Sequence, residues 1–216
     1  MFISIEAIDG AGKSTQCRRL VETLAAAGHD VVLTREPGGS PGAEDIRGLL
    51  VSGNPERWSP ETEILLFTAA RRDHVERLIR PALERGQTVI TDRFADSTRI
   101  YQAAKNIEMR RMVDDLHALT IGVEPDLTII LDLDAEIAWN RSKARNASSA
   151  GPDEDRFEKR GLAFQEILRQ GFLSLAKEAP QRFAVIDASG TPDEVYDRLE
   201  AAVMARLAPA SLPSCG

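Results

Sequence analysis

The stretch Phe2–Thr15, FISIEAIDGAGKST, decides how the chain reads. Its first seven residues, Phe2-Ile3-Ser4-Ile5-Glu6-Ala7-Ile8, make a short apolar run that predicts a buried strand. The turn Asp9-Gly10-Ala11-Gly12 follows, and Lys13-Ser14-Thr15 opens a helix. Strand, glycine-rich turn and helix start, in that order, are the context a phosphate-binding loop requires. Backbone N–H groups between Ile8 and Thr15 can wrap a triphosphate, helped by the partial positive charge of the helix N-terminus. Lys13 supplies a mobile cation for the outer phosphates, and the Ser14 hydroxyl can ligate Mg²⁺. The usual pattern has glycine at position 7, where this chain has Ala7. The loop then needs an ordinary backbone region there, which the end of a strand provides.

Length and composition bound the rest. A chain of 216 residues fits one α/β domain with small inserted lobes, here expected over 1–207 with a frayed tail at 208–216. A net charge of −7 argues against a general nucleic-acid-binding protein. Cys17 and Cys215 are the two cysteines, with neither metal spacing nor a disulfide framework. A reduced, cytoplasmic setting is the expectation, with no leader before the first strand and no association with a membrane.

Strands are expected at His29–Thr34, Gln87–Asp92, Asp126–Asp132 and Arg182–Asp187 besides the first. Helices are expected at Thr15–Gly28, Ala43–Val51, Glu61–Arg85 (with Pro81 as a kink), Ser97–Ala104, Glu108–Ile121, Ala135–Arg145, Arg156–Ala179 and Pro192–Leu207. Five strands alternating with helices predict a parallel sheet covered on both faces. Arg35–Gly42, REPGGSPG, cannot be regular structure, and a long loop at a strand end is where such a sheet binds ligands. Asn146–Asp155, NASSAGPDED, is small and polar and reads as a mobile lid.

A phosphate-binding loop serves switches, motors and kinases alike, so the remaining residues must choose. Arg93 directly follows a strand end, and Asp92 beside it can hold Mg²⁺ through water. Arg71 lies one turn after Phe67 on one helix face. Arg141, Lys143 and Arg145 stand at the threshold of the lid. Transfer of a γ-phosphoryl group is mostly positioning and cationic stabilisation. An acceptor that is itself a phosphate is already ionised and needs no strong base. Many arginines and few histidines suit that reaction better than phosphorylation of an alcohol. His29, His74 and His117 share no spacing and read as structural.

Four motifs now stand in order: IDGAGKST, TREPGG at Thr34–Gly39, LLFTAAR at Leu65–Arg71, and DRFADSTRIYQ at Asp92–Gln102. Together they resemble the bacterial thymidylate kinase family over about Phe2–Ala202. The resemblance implies a three-layer P-loop NTPase fold with a five-stranded parallel sheet and a small lid at about 141–156. The monophosphate-binding region would span about 35–80. It implies ATP as donor, Mg²⁺ as cofactor, dTMP as acceptor and a homodimer. Asp9 would hold the sugar 3′-hydroxyl and keep the two phosphates in register, and Phe67 would stack on thymine. Arg71 would reach a thymine carbonyl, and Arg93 would grip the dTMP phosphate. Ser97 and Thr98 would line the base pocket, Tyr101 would crowd the sugar, and Gln102 stands beside them. Glu36 and Pro37 would shape the monophosphate wall.

Family members differ in where a catalytic cation sits. This chain has Gly10 in the loop and basic residues at the lid, so Arg145 would close over the transferring group, with Arg141 on the ATP side. Asp9, Lys13, Arg93 and Arg145 would form the catalytic set, and Ser14 and Asp92 the metal set. Ala103 stands where relatives often have glycine, and is expected to alter only a turn. A kinase for another nucleoside monophosphate and a nucleotide-dependent switch ATPase remain as alternatives. The loop predicts that Lys13→Ala abolishes turnover with the fold intact, because the loop's packing is mainly backbone; circular dichroism and a coupled ADP-release assay check this, and unchanged turnover would contradict the role of Lys13.

Overall fold

The computed structural model describes residues 1–54, 56–103, 106–148 and 160–207. Strand β1 (Phe2–Glu6) is buried along its whole length. That is the signature of a strand with neighbours on both edges and helices on both faces. β1 pairs in parallel with β3 (Thr88–Asp92) on one side and β4 (Leu127–Asp132) on the other. β2 (Val31–Arg35) and β5 (Phe183–Asp187) form the edges, giving the order β2-β3-β1-β4-β5. The edges are wetter: Leu33 and Val185 are exposed. The five-stranded parallel sheet expected from the sequence is present, each strand within two residues of its expected start.

Successive β1 side chains go to opposite faces. Ile3 and Ile5 join a large apolar cluster with Leu20 and Leu24 of α1 (Lys13–Ala26) and Val195, Leu199 and Val203 of α9 (Pro192–Leu207). Phe2 faces a second cluster with Val75, Ile79, Val89 and Phe94. There the Phe2 and Phe94 rings meet edge to face at 4.9 Å. The helices α5 (Ala95–Tyr101), α6 (Ile107–Thr120), α7 (Ala135–Ser148) and α8 (Leu162–Glu178) complete the domain, with Phe172 of α8 fully buried. Asn106 caps α6 by accepting from the Glu108 and Met109 N–H groups.

The expected helix at Glu61–Arg85 divides. α3 (Pro60–His74) leads into a π turn at Val75–Ile79 and then α4 (Arg80–Glu84), while α2 (Pro41–Val51) packs against α3. The Arg80 N–H reaches back to the Val75 carbonyl, one residue further than an α-helix allows. Pro81 explains the change: it has no N–H, and its ring crowds the carbonyl four residues earlier, so the widened turn relieves the clash. Two ends of the expected lid fall differently. α7 runs to Ser148, so its start is helical, whereas 149–159 lie outside the described residues. The helix expected from Arg156 begins at Leu162, with 156–159 also outside them. Ala103 packs with Ile64 and Val113.

β1 and β3 end side by side, with helices leaving them in different directions, and this puts the crevice of the sheet at Glu6–Lys13 and Asp92–Ser97. Because Phe172 is 1% exposed in the larger cluster, Phe172→Ala should destabilise the chain by about 3–5 kcal/mol; urea unfolding measures it, and a loss below about 1 kcal/mol would show that the site collapses to fill the space.

Candidate active site

The loop between β1 and α1 is shaped by two glycines. Gly10 and Gly12 have φ of 89° and 92°, a region closed to most side chains. At Gly10 the restriction is doubled, since an added Cβ would lie 1.9 Å from the Ala138 carbonyl oxygen of α7. Ala7 does not share this conformation: among the described residues the only non-glycine with positive φ is Arg93. The alanine at position 7 is therefore compatible with the loop, as expected. Ile8 and Ala11 are buried and anchor the loop to the core. Lys13 Nζ folds back, donating to the Ile8 and Ala7 carbonyls at 3.2 and 3.4 Å, with Asp9 Oδ1 at 3.9 Å. Burial and the nearby Arg93 cation push its pKa down.

Ser14 Oγ donates to Asp92 Oδ2 at 2.6 Å, so the two residues expected to hold a metal are adjacent. Both are hard oxygen donors and few in number. That suits Mg²⁺, which keeps several waters and takes much of its remaining coordination from substrate phosphates. No cluster of three or more His, Cys, Asp or Glu able to hold an ion occurs among the described residues. Thr15 stands exposed in the first turn of α1.

Arg93 follows β3 with φ of 73°, a conformation that costs an ordinary residue roughly 1–2 kcal/mol. Its guanidinium is fully engaged at the tip. Nη1 donates to the Ala7 carbonyl and Ser97 Oγ at 3.0 and 2.9 Å. Nη2 donates to Asp9 Oδ1 and the Tyr101 hydroxyl at 2.5 and 2.9 Å. The Tyr101 hydroxyl also donates to Asp9 Oδ2 at 3.0 Å. Burial opposes the charge on Asp9, yet Arg93 and Lys13 outweigh it and hold the carboxyl below its usual range. Asp92 and Arg93, adjacent in sequence, thus serve different partners, Asp92 taking Ser14 and Arg93 taking Asp9.

A second buried network lies beside the first. Arg71 is 3% exposed. Its Nε donates to Glu36 Oε2 at 2.8 Å and its Nη2 to Thr98 Oγ1 at 2.9 Å. Glu36 Oε1 is 3.0 Å from His74 Nδ1, and His74 Nε2 is 2.7 Å from Thr34 Oγ1. Burial opposes the Glu36 charge, but Arg71 and His74 more than compensate and lower its pKa. Gly39, with φ of 87°, leaves room for this chain: a Cβ there would lie 2.4 Å from both His74 Nε2 and Thr34 Oγ1. Pro37, joined to Glu36 by a cis peptide bond, accepts from Arg47 Nη1 through its carbonyl at 2.8 Å. Phe67 is half-buried, one turn before Arg71. Gln102 Nε2 donates to buried Glu63 at 3.2 Å.

The geometry is a phosphate loop, a strained arginine at the neighbouring strand end, and a buried arginine one layer beyond. A family model described as thymidylate kinase matches residues 5–199. The chain belongs to the thymidylate kinase family. A thymidylate kinase of Jannaschia sp. (strain CCS1) is 58% identical over 210 residues, covering 97% of this chain and 99% of the relative. One from Ruegeria pomeroyi is 59% identical over 195 residues, 90% of each chain. A crystal structure of thymidylate kinase from Ehrlichia chaffeensis superimposes with a TM-score of 0.72 at 34% identity, covering 94% of this chain and 98% of that one. Members of the thymidylate kinase family are phosphotransferases, and this chain is an enzyme of that class with a phosphate acceptor.

The structure brings together Asp9, Lys13, Arg93, Ser97 and Tyr101 in one group, and Glu36, Arg71 and Thr98 in another. Arg145 and Arg141 stand apart on exposed positions of α7; Arg145 Nη2 donates to Ser142 Oγ of its own helix at 2.9 Å. Lys143 covers the Trp139 ring at 4.3 Å. Sequence reading missed Glu6, His74, Thr34 and Gly39 as parts of the site. Glu6 and Ser4 were visible as polar residues inside an apolar run, and His74 as the residue one turn beyond Arg71. Replacing His74 by leucine removes the partner of Thr34 Oγ1 and of Glu36 Oε1, leaving Glu36 held by Arg71 alone, so His74→Leu should lose about 2–4 kcal/mol of stability; urea unfolding is the measurement, and a loss under about 0.5 kcal/mol would mark the histidine as passive.

Proposed function

We propose that the chain transfers the γ-phosphoryl group of ATP to dTMP, giving dTDP and ADP for dTTP synthesis. The observation that carries this reading is that Asp9 is shared by two cations, Arg93 at 2.5 Å and Lys13 at 3.9 Å. One carboxylate spans the donor loop and the acceptor arginine, so two phosphate chains bound to those cations would meet end to end. The bond from the γ-phosphorus to the ADP oxygen breaks, and one to a dTMP phosphate oxygen forms. The attacking dTMP oxygen is already anionic and the leaving oxygen departs with the electron pair as an anion of ADP, so Lys13, Arg93 and Arg145 serve as charge stabilisers and no general base is needed.

On this reading the Ile8–Thr15 loop holds the ATP phosphates, with Arg141 on the donor side. Ser14 and Asp92 would hold Mg²⁺, which would supply positive charge against the phosphates. Phe67 stacks on the base. Arg71, fixed by Glu36 and Thr98, turns its Nη1 to a thymine carbonyl. Ser97, Tyr101, Gln102 and Pro37 line the sugar and base. The region about 35–80 forms the acceptor wall, and about 141–156 forms the lid. The homodimer expected from the family resemblance finds support in α6, where Ile107 and Leu119 are 68% and 83% exposed beside Met112 and Leu116. A cytoplasmic setting agrees with free, buried Cys17, and no helix among the described residues is long and apolar enough to cross a membrane.

Purified chain with ATP and Mg²⁺ should convert dTMP to dTDP in preference to UMP, CMP and AMP; no dTDP would overturn the proposal. In the same assay Phe67→Ala should raise the KM for dTMP by roughly 5- to 100-fold, the loss of one stacking contact, with the KM for ATP little changed. Equal losses for both substrates would indicate a core role instead.

A further inference from the structure

Glu6 ends the central strand and is fully buried, at 0% exposure. A carboxylate there needs strong partners, because burying a charge without them is costly. Its partners come from one corner of the molecule. The Phe94 N–H donates to Oε1 at 2.7 Å, and the Ser97 hydroxyl donates to Oε2 at 2.6 Å. Phe94 directly follows Arg93, the residue with φ of 73°. Ser97 lies one turn on, and its Oγ accepts from Arg93 Nη1 at 2.9 Å. One carboxylate therefore grips the backbone just after the strained residue and, through one hydroxyl, that residue's guanidinium.

We propose that Glu6 is a positioning residue of the acceptor site: its bonds to the Phe94 N–H and the Ser97 hydroxyl hold Arg93 in its left-handed conformation and aim the guanidinium at the acceptor phosphate. This rests on the phosphoryl-transfer reading above for what Arg93 grips, though not for what holds Arg93. Strained residues persist where their surroundings over-determine them: the Arg93 N–H donates to the Ile5 carbonyl at 3.0 Å and its carbonyl accepts from Thr91 Oγ1 at 2.8 Å, and Glu6 adds the hold on the residue that follows. The two acidic residues flanking the site then have separate tasks. Asp9 binds the tip of the guanidinium and must yield part of it to an arriving phosphate. Glu6 binds a backbone amide and a hydroxyl, so it keeps its hold whether or not substrate is present.

The groups facing Glu6 are Asp96 and Arg93 from the β3–α5 corner and Lys13 and Cys17 from α1. Burial and Asp96 raise its pKa from 4.5 to about 7, against the opposing pull of Arg93, Ser97 and Phe94. Folded chain thus binds this proton more tightly than unfolded chain. The stability Glu6 lends is complete below about pH 4.5 and is lost as pH rises through about 7.

The test is Glu6→Gln, which keeps the shape but replaces one acceptor oxygen by an amide donor. The KM for dTMP should rise about tenfold, the loss of one charge-assisted hydrogen bond's worth of alignment, while the KM for ATP stays within about twofold. Hydrogen exchange at the Phe94 amide, measured without substrate, should quicken by about tenfold. The fall in stability between about pH 5 and 8 should vanish in the variant. An unchanged KM for dTMP, or equal rises for both substrates with unchanged Phe94 exchange, overturns the proposal. If wild-type chain makes no dTDP, the functional reading falls, and the exchange measurement still decides the role of Glu6. Should Glu6→Gln fail to fold, Glu6→Asp, which keeps the carboxylate but withdraws it by one methylene, decides instead: Phe94 amide exchange should quicken by about tenfold, and unchanged exchange overturns the proposal.

Discussion

The site depends on one electrostatic constraint: two cations, Arg93 and Lys13, are held close together around one carboxylate. Like charges at this range repel strongly in a partly dry crevice. Asp9 resolves the conflict by lying between Arg93 and Lys13. Lys13 adds two backbone carbonyls, and Arg93 adds a carbonyl and two hydroxyls. The two positive charges are thereby balanced by protein groups at short range.

The second network follows the same rule with a different outcome. Arg71 is buried more deeply than Arg93, and its partner Glu36 is itself held by His74 and, behind it, Thr34. A buried ion pair gains little net stability from attraction alone, but losing one member is severe. What such an arrangement provides is geometry. Two of the three guanidinium nitrogens of Arg71 are committed to protein, which fixes the plane in which the third can reach outward.

The fold was largely legible in the sequence, because strong apolar runs and glycine punctuation carry most of the information a parallel sheet needs. Boundaries drifted where local cues compete. Pro81 signalled a disturbance, yet the π turn that absorbs it precedes the proline by several residues, and periodicity alone gives no hint of it. The site was half legible. Lys13, Ser14, Asp9 and Arg93 follow from the loop and strand end. Glu6, His74 and Gly39 were missed because their importance lies in contacts across 88, 38 and 35 residues of chain. Glu6 was absorbed into an apolar run read as a buried strand, and His74 was read as one of three structural histidines with no shared spacing.

The contact between Gly10 and α7 limits what the loop can become. Any residue other than glycine at position 10 would bring a side chain against that helix. In this molecule the backbone of Ala138 stands where the first carbon of any such side chain would go. Placing a side chain at position 10 is thus not a one-letter step, because the start of α7 would have to withdraw before the substitution could be accommodated.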